Sequence, residues 1–89
     1  MFLIENLKNL RILCKIPVRD MADYLSMSIN NYHKIERKEV ELNIKNITKI
    51  ASLFNVKIDD LVNKDIFQII NEYQLNNDAF ISGVLNRIR

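Results

Sequence analysis

Leu3, Leu7, Leu10 and Cys14 recur at the three-and-four spacing of one helix face, and they predict a first helix over about residues 2–14. Pro17 closes it, because a proline disfavours the helical conformation at the residue before it, here Ile16. The same proline can open the next helix, whose first turn needs no backbone N–H there. Val18, Met21, Ala22 and Leu25 share a face and predict a second helix over about 18–25. Ser26-Met27-Ser28 is then a turn, and the Ser28 hydroxyl is suited to cap a third helix over about 29–37, with Tyr32 and Ile35 inward. A loop, "KEVELN", leads to Asn43, the expected cap of a fourth helix over about 44–54. Its expected buried stripe is Ile44, Ile47, Ile50, Ala51 and Phe54, and Asn55 can take the left-handed conformation that ends a helix. Ile58, Leu61 and Val62 predict a short fifth helix over about 58–63.

From Lys64 onward two further stripes appear, Ile66, Ile69, Ile70, Tyr73 and then Ile81, Val84, Leu85, Ile88. Asn76-Asn77-Asp78 separates them and can cap the second. No sustained period-two alternation competes, so the expected fold class is all-α. Composition agrees: 48% of the 89 residues are hydrophobic, with one Gly and one Pro to break helices.

Charge narrows little. The net charge is +2, so any nucleic-acid role rests on where the cations sit. Cys14 stands alone, cannot form an internal disulfide, and reads as a small apolar thiol. The opening "MFLIENLKNLRILCK" lacks the basic front and cleavage site of a signal peptide, and no run reaches the roughly 18 apolar residues of a membrane span. A soluble, cytoplasmic protein with no membrane association is expected.

Two short helices joined by a three-residue turn, the second capped by serine, form a helix-turn-helix pattern. Geometry of that kind is common in small bundles, but the residue types narrow it. "LKNLR" (7–11), "MADYL" (21–25), "MSINNYHKIER" (27–37), "NIKNITKIASLFNV" (43–56) and "IDDLV" (58–62) resemble the phage-repressor-like, Cro/CI-type (lambda-repressor-like) helix-turn-helix family. The resemblance implies a five-helix DNA-binding domain over 1–65, with 66–89 a C-terminal helical extension. It implies that Arg11 and Glu36 form a partly buried ion pair tying helix 1 to the end of helix 3; the alternative is two solvated surface charges. It also implies a helix 3 whose first residues meet base edges in the major groove. Carried over by position, Ile29, Asn30, His33 and Lys34 face bases. Arg19, Ser28, Asn31, Arg37, Lys38, Asn43, Lys45 and Asn46 face phosphate. His33 has no companion ligand nearby and is not a metal site.

Several positions depart from the family pattern. Pro17-Val18 stands where Ser/Thr-Gln is usual, Lys38 where Gly is usual, and Lys57 where a Ser or Thr usually caps helix 5. Glu39 and Glu41 follow helix 3 and would repel a phosphate facing them. Phe2, Ile4 and Ile12 are apolar where polar residues are common.

The tail stripes cannot stay exposed in water; they fold back, pair with another copy or bind a partner. A homodimer through Ile66, Ile69, Ile70, Tyr73, Phe80, Ile81, Val84, Leu85 and Ile88 is expected, with docking inside one chain as the alternative. The expected function is a sequence-specific DNA-binding regulator, a repressor acting on double-stranded operator DNA. The alternative is a protein-interaction module reusing the fold, such as an antitoxin, antirepressor or regulator subunit acting through the C-terminal helices. No paired carboxylates, Cys/His set, Gly-rich phosphate loop or Ser/His/Asp arrangement suggests an enzyme, and no metal or cofactor is expected.

Overall fold

In the computed structural model, which describes residues 1–89, the chain forms seven helices: α1 (Leu3–Leu13), α2 (Val18–Tyr24), α3 (Ile29–Glu36), α4 (Ile44–Phe54), α5 (Ile58–Asn63), α6 (Ile66–Tyr73) and α7 (Asp78–Ile88). No strand is present. Small polar residues start four of them. The Ser28 hydroxyl accepts from the Asn31 N–H at 3.0 Å, and Asn43 Oδ1 from the Asn46 N–H at 2.8 Å. Asn77 Oδ1 accepts from the Phe80 N–H at 2.8 Å. Asp65 and Gln68 bond reciprocally at the start of α6, forming a capping box. Pro17 precedes α2 in extended backbone rather than standing inside its first turn.

Helices end without glycine. Lys15, Ser26, Lys38, Asn55 and Gln74 all adopt positive φ, between 54° and 64°. At α1, α2, α3 and α4 these residues close a two-bond terminal motif. After α3, the Lys38 N–H donates to Ile35 O at 2.9 Å and the Glu39 N–H to Lys34 O at 2.8 Å. The only glycine, Gly83, lies inside α7, so these left-handed turns fall to residues that pay for a Cβ there.

Leu3, Leu7 and Leu10 of α1 sit at the centre of the core, together with Met21, Ala22, Tyr32, Ile35, Ile50, Phe54 and Leu61. α1 packs against α3, α5 and α6, while α7 packs against α4 and α2. Asn6, unremarked in the sequence pattern, is wholly buried; its Nδ2 donates to Leu61 O at 2.8 Å and Lys64 O at 2.7 Å, fastening α1 to the end of α5. Lys57 offers no cap to α5. Tyr73 of α6 covers that end instead: its hydroxyl accepts from the Lys57 N–H at 3.2 Å and donates to Asp60.

The tail docks within the chain. Ile69 and Val84 are completely buried in the same core as α1 and α4, so in this arrangement they are out of a partner's reach. Ile66, Ile70, Tyr73, Phe80, Ile81, Leu85 and Ile88 pack half-buried around them. Arg87 Nη1 donates to Leu53 O at 2.8 Å, holding α7 to the end of α4. The Cα radius of gyration is 12.0 Å, close to the value of about 12 Å expected for one packed unit of this length. Extending 66–89 away from the rest would exceed it.

Two inward expectations fail at helix starts. Ile44 is 69% exposed and Ile58 38% exposed. Each is the first residue of its helix, and a helical side chain leans toward the N-terminus, here off the end of the packed turns.

Candidate nucleic-acid interface

α2 and α3 make the most extensive helix pairing in the molecule. Ala22 is fully buried between them, where a larger side chain would push the two apart. The turn depends on Ser26 in its left-handed conformation, and the Met27 N–H donates to Ala22 O at 3.0 Å. Tyr32 and Ile35, both buried, fix which face of α3 turns inward. Tyr24 ties the end of α2 to α4: its hydroxyl donates to Lys49 O at 3.1 Å, and the Lys49 ammonium lies 5.0 Å from its ring centre while donating back to Tyr24 O.

Arg11 and Glu36 meet in a two-pronged pair, Nε to Oε2 at 2.7 Å and Nη2 to Oε1 at 3.1 Å. Their side chains are only 15% and 10% exposed. Arg11 Nη1 also donates to Ile16 O at 3.2 Å, and the Tyr32 hydroxyl donates to Glu36. The last turn of α3 is therefore locked to α1 and to the turn after it. Burial alone would raise the Glu36 carboxyl, but the Arg11 and Tyr32 hydrogen bonds outweigh it and hold the group below the usual range. Burial pushes the Tyr32 phenol well above its ordinary value, and the Cys14 thiol up to about 11, which leaves Cys14 an inert core thiol.

With that face anchored, α3 presents the other. Ile29, Asn30, Asn31 and His33 are exposed, and Lys34 is half-buried. Ile29, the first residue of α3, leaves 44% of its surface in water, as the first residues of α4 and α5 also do in part. Ser28 is exposed with its hydroxyl engaged as the cap. Arg19 on α2 and Asn43 and Lys45 at the start of α4 are exposed, with Asn46 half-buried. Arg19, Lys34 and Lys45 make no salt bridge.

Arg37 and Lys38 differ. Arg37 Nε pairs with Glu39, and Lys38 Nζ lies 2.7 Å from Glu5 on α1. The Glu5 contact joins residues far apart in the chain and had no local signal. No group of three His, Cys, Asp or Glu is gathered as a metal site, and no helix is long and apolar enough to cross a membrane.

A family model described as Helix-turn-helix matches residues 7–61. No curated protein and no solved structure matches the chain.

Proposed function

The chain belongs to the Cro/CI-type helix-turn-helix family, whose members are DNA-binding regulators, and on that premise we propose that it is a sequence-specific repressor reading double-stranded operator DNA with α3 in the major groove. The observation carrying this reading is the division of α3. Tyr32, Ile35 and the Arg11–Glu36 pair hold one face rigidly, and the opposite face leaves Ile29, Asn30, His33 and Lys34 uncommitted. Asn30 can pair with adenine N6/N7, Lys34 can donate to guanine O6/N7, and Ile29 can cover a thymine methyl. Arg19, Ser28, Asn31, Asn43, Lys45 and Asn46, with the free N–H groups opening α4, would set register on the phosphates. Arg37 and Lys38 would join them once freed from their carboxylates.

A single module buries too little DNA for operator specificity, so a homodimer is part of the proposal. The outer margin of α6 and α7 is the surface we assign to it: Phe67 is 74% exposed there, beside the half-covered Ile66 and Ile70. The reading places the protein in the cytoplasm, without metal, cofactor or catalytic activity. A protein-interaction module is the second reading, favoured by the acids that pair with Arg37 and Lys38.

Selection of bound sites from a random duplex library tests both. A two-fold site is expected. Asn30→Ala or Lys34→Ala should weaken the selected site about 5- to 100-fold, as loss of one base contact does, with little change on unrelated duplex. Unchanged affinity in both variants would remove α3 as the reading element.

A further inference from the structure

We propose that Glu39 and Glu5 act as internal stand-ins for DNA phosphate, holding Arg37 and Lys38 at the exit of α3 and thereby setting how tightly the protein grips the DNA backbone. The inference rests on the DNA-binding reading above. Its particular observation is that both cations immediately after α3 are engaged: Arg37 Nε with Glu39, and Lys38 Nζ with Glu5 at 2.7 Å. Arg19, Lys34 and Lys45 form no salt bridge, although Lys34 lies near enough to Glu39 to add a little to the pull of Arg37 on its carboxyl.

The backbone builds this arrangement. The α3 terminus is closed by the Lys38 and Glu39 N–H groups bonding back to Ile35 and Lys34. The closure fixes the backbone on which Arg37 and Glu39 stand two residues apart, within reach of one another. Lys38 holds a left-handed conformation, φ 64°, for which its Cβ is a poor fit. A glycine would close the helix with less strain but could not reach Glu5. Arg37 hydrogen bonding holds the Glu39 carboxyl below its usual range, and Lys38 does the same for Glu5, so both acids are charged at neutral pH.

A carboxylate and a phosphate diester offer a cation the same acceptor chemistry. All four side chains are about half exposed, so each pair is weak enough for DNA to displace. Displacement then exchanges one ion pair for another, and the net gain is small. The freed carboxylate also remains beside the strand. The two acids thus subtract the general phosphate affinity of two cations, from binding to any duplex alike, and form no salt bridge with the base-facing Asn30 or Lys34.

Binding of the full chain to a mixed-sequence duplex, measured by fluorescence anisotropy over a salt series, tests this. Glu41, in the same loop but in no salt bridge, is the control for simple removal of a negative charge. Glu39→Gln should tighten binding about two- to fivefold beyond Glu41→Gln, the range of an exposed ion pair. It should also steepen the log–log salt slope by about 0.9, the increment of one added phosphate contact. Glu5→Gln should act likewise through Lys38. In an Arg37→Gln background the extra gain of Glu39→Gln should vanish. Equal effects of Glu39→Gln and Glu41→Gln, or a gain that survives Arg37→Gln, would overturn the proposal while leaving DNA binding intact. No salt-dependent binding by the wild type or any variant would overturn both readings together.

Discussion

Tyr32 serves two ends with one side chain. Its ring is buried against the core, and its hydroxyl donates to Glu36, which already holds Arg11. Removing Arg11 leaves Glu36 a part-buried charge held only by Tyr32, so Arg11→Ala should lower stability by about 1.5–3 kcal/mol in urea denaturation. A loss near zero would mean that the pair is solvated. Glu36 also makes stability depend on acid. Its carboxyl is lowered in the fold, so its contribution is present above the unfolded value of about 4.3 and is lost as pH falls through the folded one. Melting temperature should therefore drop on acidification below that value, and Glu36→Gln should flatten part of the drop. The ion pair was foreseeable only through family resemblance. Nothing in the local pattern tells Arg11 and Glu36 apart from solvated charges, because they stand 25 positions apart.

At the scale of the element, helix starts were readable and helix packing less so. Ser28 and Asn43 announce their helices because a cap bonds only three residues ahead, to Asn31 and Asn46. The left-handed ends were harder to see: Asn55 is a recognised terminator, but Lys15, Ser26, Lys38 and Gln74 carry no such mark. Tertiary packing imposes those turns on residues that would not choose them. Lys15→Gly should accordingly stabilise the protein by about 0.5–1 kcal/mol, the strain released less the entropy glycine adds to the unfolded chain. Thermal unfolding measures it, and a destabilised variant would show that the turn is not strained. Ile44 and Ile58 show the opposite failure. Periodicity marks a face as apolar, but it cannot say that the first residue of the helix overhangs the end of its partner.

For the whole molecule, the seven helices behave as one unit, and the tail is part of its foundation. Ile69 and Val84 fill the core, Arg87 holds the end of α4, and Tyr73 covers the start of α5 in place of the missing cap. Ile69→Ala should lower stability by about 2–5 kcal/mol, independent of protein concentration. Urea denaturation at two concentrations well apart checks this. A loss that appeared only at high concentration would mark Ile69 as an interface residue instead. By itself the sequence determined the helices, the buried face of each apart from the first residues of α4 and α5, and the family over residues 7–61, because periodicity, caps and the helix-turn-helix spacing all act within a few turns of chain. Only the tertiary structure decided what each face meets: Asn6 with the end of α5, Glu5 with Lys38, and the tail stripes with their own core. An apolar stripe states that it must be covered, and the same hydrophobic gain is available from its own chain or another, so the partner is chosen by how the elements fit together in space.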